Sequence, residues 1–327
     1  MGQIGKMMDG RRLAGLVQQG FVEAGTGLRA PTSPGGTAWR VEVADSFEAL
    51  ERHRAAWDAL LDALPDDRGL FFRLPWMRAM APTYLGGRRR MHVLLAWCGD
   101  RLAGVAPMTV ETRAWWRGGI RRAAFWGTVA GSSRMEGDFL VPDRQDVGPC
   151  MRAFAEALRD PRTGADWLDL QYFRDASHCR EAFAAEAGLT PLHEEAMRTH
   201  WACLPASFEA YTATLKRAML SKAQNRVRAA RRDLGAWLEC VDRLSPEDLA
   251  QVEALHVQRQ TDLSSRGRER ESLFLSPAER ASYLERLERA AQDGSARHYL
   301  LKGTDGRVLA FSLCFHAGRT LFFHLTA

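Results

Sequence analysis

Histidine is the side chain best placed to take a proton near neutral pH, and the sequence holds nine of them. No two are spaced as H-x-x-x-H, so no metal site is expected. His256 stands out because Arg259 follows one turn later on a helical pattern. One residue could abstract a proton while the other holds an anionic group. The other reading is a partly buried histidine beside a solvent arginine. Asp138, just before Phe139-Leu140, is a second candidate for proton transfer, or else a carboxylate that caps a strand.

The second feature is electrostatic. Lys216, Arg217, Lys222, Arg226, Arg228, Arg231 and Arg232 lie close together with no acid among them. These seven positive charges exceed the formal charge of the whole chain, +5, so the remainder is slightly acidic and the basicity is local. On a helix, Arg228, Arg231 and Arg232 share one face, with Lys222 and Arg226 displaced around it. Ala223, Val227, Ala230 and Leu234 form an apolar stripe, so Val227 and Leu234 are expected to be buried. A helix basic on one side either binds an anionic ligand, such as an acidic glycan or RNA, or presents a solvated face. The chain lacks the aromatic and basic interleaving of an RNA-binding sheet, and DNA is not expected as a partner.

Around these residues the chain reads as a globular protein. Hydrophobic residues make up 46% and charged residues 26% of 327, enough to bury a core. No run approaches the ~20 apolar residues of a membrane span. The six cysteines form no C-x-x-C pair, which fits a reducing cytoplasm better than a disulfide scaffold.

Residues 1–38, rich in Gly, Pro and small side chains, read as a disordered tail. Order is expected from 39 on. WRVEVAD alternates as a strand, Asp45-Ser46 starts a helix running to about Leu64, and Pro75 starts a second helix ending at Tyr84. Two strands then flank Gly99-Asp100-Arg101, and AAFWGT forms a third. DFLV, a helix over 144–159, the strand DWLDLQYF, a helix over 176–187 and the strand MRTHWACL complete 39–206. In 207–327 a basic helix (207–234) precedes the strand WLECVDRL. Ser245-Pro246 and Ser276-Pro277 then start two helices, and three antiparallel strands end the chain. The order β-α-α-β-β-β thus occurs twice, which predicts two tandem mixed α/β units.

That order resembles the GNAT acyltransferase superfamily in the tandem form of FemAB-like proteins. More closely it is similar to the CelD-type acetyltransferases of cellulose and exopolysaccharide biosynthesis. The resembling residues are Trp57; Phe71-Phe72; Leu74-Pro75-Trp76; Gly104-Val105-Ala106-Pro107; Asp138-Phe139-Leu140; Trp167-Leu168-Asp169-Leu170; Ser221-Lys222 with Arg226 and Arg231-Arg232; and Leu255-His256-Val257-Gln258-Arg259. Gln260 departs from the pattern, which has an aromatic there.

The resemblance implies two GNAT-like units, each a mostly antiparallel mixed sheet flanked by helices. It implies a cytoplasmic enzyme passing an acyl group from acetyl-CoA or another acyl-CoA to a small-molecule or saccharide acceptor. It casts His256, and less directly Asp138, as catalytic. Arg259, Lys222, Arg226, Arg228, Arg231 and Arg232 become ligand-binding residues, with the coenzyme's phosphates joining the candidate anions. A tRNA-dependent aminoacyl transferase and a non-catalytic polyanion-binding module are the rival readings. The superfamily's phosphate signature is missing from both units; Gly127 to Ser133 reads as a plain turn before it reads as a phosphate cradle. Ala327 falls where the family continues into a further loop and helix. The second unit is therefore expected to be truncated, and the chain to bind acetyl-CoA weakly or not at all and be inactive.

Overall fold

The computed structural model describes residues 38–64, 67–115, 118–127, 137–161, 164–171, 173, 177–189, 202–267 and 272–327. The expected tail, the loop after Gly127 and most of the strand at 197–204 lie outside the described residues.

Strand β1 (Trp39–Ala44) leads to Ser46, whose hydroxyl accepts from Ala49 N and starts helix α1 (Phe47–Glu51). One helix is expected from Phe47 to Leu64. Instead the chain breaks at Arg52-His53 and resumes as α2 (Arg54–Asp62), because His53 turns away to bond Glu42 at 2.8 Å. A 3-10 segment, Asp67–Phe72, precedes α3 (Leu74–Tyr84), which carries Pro75 in its first turn. Strands β2 (Arg89–Cys98), β3 (Arg101–Trp115) and β4 (Gly118–Phe125) follow as an antiparallel meander. Helix α4 (Arg144–Arg159) lies where the sequence places it and is capped by Asp143. Strand β5 (Trp167–Asp169) joins β4 in parallel, and α5 (His178–Ala187) starts at Ser177. DFLV, expected as a strand, contributes only a single bridge between Leu140 and Val105.

The basic segment is two helices, α6 (Phe208–Thr214) and α7 (Arg217–Leu234). Next come β6 (Trp237–Val241), α8 (Pro246–Ser265), a 3-10 turn at Leu273–Leu275 and α9 (Pro277–Gln292). Strands β7 (Ala296–Lys302), β8 (Val308–Ala317) and β9 (Thr320–Thr326) end the chain.

The fold is mixed α/β with two mostly antiparallel sheets, ordered β1-β2-β3-β4-β5 and β6-β7-β8-β9. The two sheets repeat each other down to an irregularity. Ala96 faces Gly104 while Trp97 faces Leu102, so Ala103 bulges; Leu301 faces Ala310 while Lys302 faces Val308, so Leu309 bulges. Both bulges follow an Arg, Arg101 at the start of β3 and Arg307 just before β8.

Two apolar cores form. One lies between the first sheet and α4 and α5, around Phe125, Phe139, Phe154 and Phe183. The other joins the two units: Trp57, Leu61, Trp76 and Met80 pack with Tyr283, Leu287, Leu313 and Phe315. The ring edges of Trp76 and Phe315 meet at 4.7 Å, and Ser282 Oγ donates to Ala79 O at 2.7 Å.

Candidate active site and anion-binding face

Helix α8 carries the leading catalytic candidate, and its start is strongly specified. Ser245 Oγ accepts from Asp248 N at 3.0 Å, and Pro246 fits the first turn. Asp248 also pairs with Lys302 at 2.8 Å, and Lys302 reaches Glu239 at 2.7 Å. Hydrogen bonds that it donates to these carboxylates, Asp248 first, hold the Lys302 ammonium above its usual range. Gln251 Oε1 accepts from Val308 N at 2.8 Å, fixing the helix over the bulge in β8.

So anchored, α8 buries Asp248, Val252 and His256, a row spaced by four. Elsewhere on the helix Leu249, Leu255 and Leu263 are half-buried, Leu255 against the shared core. His256 is 3% exposed. Gln260 Nε2 donates to its Nε2 at 3.2 Å, which leaves the ring proton on Nδ1 for donation to Ser272 Oγ at 2.7 Å. Phe274 packs edge-on at 5.4 Å. Burial, and secondarily the charge of Arg259, push the imidazole pKa down to about 4, so the ring is neutral at physiological pH. Arg259, the expected partner, is exposed. His256 thus ties α8 to the turn before α9. Gln260, where the resembling family has an aromatic, is one of its two polar partners.

Asp138 is also buried. Its Oδ1 accepts from Phe139 N and from Ser177 Oγ, both at 2.8 Å, which secures the start of α5. Phe139 belongs to the core under α4 and α5, whereas Phe274, beside His256, belongs to the shared core. The fold therefore does not bring the two catalytic candidates into one site.

The basic helix does what its charges predict and not what its apolar stripe predicts. Lys222, Arg226, Arg228, Arg231 and Arg232 are all exposed on α7. Arg232 pairs with Asp233 at 2.6 Å, and Arg228 reaches Asn225 Oδ1 at 3.4 Å. Lys222 and Arg226 line a shallow concavity with Ala218, Ser221, Asn225 and Ala229. Val227 and Leu234, expected to be buried, are 50% and 51% exposed. The reason is placement: α7 contributes no residue to either core. It is tied through its C-terminal end, where Gly235 adopts φ +56°, a left-handed conformation suited to glycine, and Thr304 N donates to Leu234 O at 3.4 Å.

Sequence reasoning missed a set of buried polar groups in the second unit: Ser272, Ser282, Arg286 and His298. Their scatter along the chain leaves no motif. His324, half-buried on β9, stacks on Tyr283 at 5.3 Å, and the burial of its ring beside Arg286 pushes its pKa down to about 3.

Residues 221–327 match the model of a family described as the acetyltransferase (GNAT) domain. A GNAT-type domain is present here. It begins inside α7 and takes in the whole β6 to β9 sheet. Among solved structures, a transcriptional regulator from Bacillus halodurans C-125 aligns at 16% identity and TM-score 0.30, covering 50% of this chain and all of that one. A GCN5-related glucosamine N-acetyltransferase region of a fungal multi-domain GH3 β-N-acetylglucosaminidase aligns at 13% identity and TM-score 0.28, covering 86% of this chain and 28% of that one. Both are distant likenesses. No curated protein matches. Among the described residues no helix is long and apolar enough to cross a membrane, and no three His, Cys, Asp or Glu are grouped to hold a metal.

Proposed function

We propose that the protein is an acyl-CoA-dependent acyltransferase of the CelD type, built as two GNAT-like units and working in the cytoplasm. It would pass an acetyl or related acyl group to an amine or hydroxyl of a small molecule or saccharide precursor. The acceptor attacks the thioester carbonyl, the C–S bond breaks, and the acceptor's proton leaves as coenzyme A departs as a thiol. The observation that carries this reading is the GNAT domain at 221–327, whose first residues lie on the basic helix. The exposed Arg228, Arg231 and Arg232 supply positive charge for the phosphates of the coenzyme. His256 enters as a positioning residue: a neutral ring with both nitrogens hydrogen-bonded inside the protein holds Ser272 and the turn before α9.

The test is a thermal-shift titration of the chain with acetyl-CoA. Saturable stabilisation, with acyl transfer to an acceptor amine or hydroxyl, supports the reading. No stabilisation contradicts it. Release of uncharged tRNA would identify an aminoacyl transferase instead. One observation favours a second reading, a polyanion-binding module: α7 buries no residue and is basic along its length. Heparin binding as tight as acetyl-CoA binding, without transfer, would select it.

A further inference from the structure

Between the turn after β6, α8, α9 and β7 lies a cavity of about 260 Å³. Leu244, Leu249, Leu284 and Leu287 form its apolar wall, and Arg243 pairs with Glu288 across its rim at 2.8 Å. His298 lines it as well, 1% exposed, with Nδ1 bonded to no protein group. Burial pushes this imidazole down to about 4, against a small opposing pull from Asp242, so it is neutral at pH 7. Leaving a buried polar nitrogen unpaired costs roughly 1–3 kcal/mol, and such groups call for an explanation.

The repeat supplies a control. Counted from the two bulges, the pair Val241 and His298 occupies the place of Ala44 and Val93 in the first sheet. Val93 is fully buried in an apolar core. At the same place the second sheet has an imidazole and a cavity, so the fold does not require a polar group there.

We propose that this cavity binds a small aliphatic molecule with one uncharged hydrogen-bonding head, an alcohol or a carbonyl. The tail lies among the four leucines, and the head pairs with His298 once the ring turns Nδ1, which water does not reach in this structure, toward the cavity. At about 30 Å³ per water displaced, the space suits a ligand of roughly eight non-hydrogen atoms. A carboxylate head is disfavoured, because burying a charge against a neutral ring is costly. The site does not depend on the acyl-transfer reading, and its test uses no coenzyme.

The experiment titrates 1-hexanol and hexanoate at pH 7.5 into protein with ¹³C-labelled leucine methyls. Hexanol should shift the methyls of Leu244, Leu249, Leu284 and Leu287 saturably, with hexanoate roughly ten-fold weaker or worse. His298→Phe should weaken hexanol about five- to ten-fold, the worth of one hydrogen bond. Leu284→Trp should fill the cavity and abolish binding; should it fail to fold, Leu249→Phe makes the same test. The proposal is overturned by non-saturating shifts, by hexanoate binding as tightly as hexanol, by unchanged affinity in His298→Phe, or by unchanged affinity in the filled variant.

Discussion

The two units follow one plan and use it differently. In the first, the helix layer is pinned to the following 3-10 segment by Trp57, whose Nε1 donates to Phe72 O at 2.9 Å. In the second, His256 does the equivalent work through Ser272. The first sheet is covered on both faces, and β2 is buried without a break from Met91 to Trp97. The second sheet exposes Leu238 and Phe323, the latter by 71%, and buries His298 and Arg286 where a purely structural core would be apolar. Burying polar groups is expensive, and a fold that can close the same layer with Trp and Val has no packing reason to pay for it. The first unit also buries polar groups (His92, Thr109, Asp138 and Asp146), so the contrast lies at the aligned pair Val93 and His298 and in the sheet face that the second unit leaves exposed.

The comparison breaks or sharpens under mutation. Trp57→Ala should cost about 3–5 kcal/mol by urea unfolding, since it opens a large cavity in the shared core and orphans a carbonyl. His256→Ala should cost less, about 1–3 kcal/mol, from the unpaired Ser272 and Gln260. A kcat loss of roughly 10²–10⁴ in His256→Ala without loss of stability would instead make His256 the general base.

Acid should act on the second unit through its buried histidines. The folded pKa values of His256 and His298 are pushed down to about 4 and that of His324 to about 3, from an unfolded value near 6.5. A histidine depressed in the folded state binds its proton more readily when unfolded. Its stabilisation is present above pH ~6.5 and is lost as pH falls toward 4. Urea midpoints recorded from pH 8 to 4.5 should fall below 6.5, and His298→Phe should flatten that fall. A flat profile in the parent protein would show that these rings are not held neutral.

The smallest effect on stability is expected at α7. Replacing Arg228, Arg231 and Arg232 with Gln should change unfolding by less than about 0.5 kcal/mol, because all three are exposed. Affinity for a polyphosphate should fall, with the loss shrinking as salt rises. Equal affinity at low salt would return the helix to a solvated face.

Much of the fold was legible because its signals are local. Ser-Pro starts, an Asp cap and Gly-centred hairpins mark element ends by their own hydrogen bonds, and α4 and the repeated order follow from them. The break at Arg52-His53 was not legible, since it depends on Glu42 across the sheet edge. Nor was the inward row of α8, where Gln251 and Asp248 fix the rotation by bonds to β8 and to Lys302. The exposure of Val227 and Leu234 shows the limit most clearly: an apolar stripe says that a helix can pack, not that a core lies within reach. The polar interior of the second unit comes from residues on α8, α9, β7 and β9, and only the folded chain gathers them.

Backbone amide shifts of the ¹⁵N-labelled 327-residue chain during an acetyl-CoA titration test the central claim most directly, because they register even weak binding residue by residue. The account predicts concentration-dependent shifts concentrated in 221–327, strongest around α7. Shifts confined to 39–206, or none at millimolar acetyl-CoA, would contradict it.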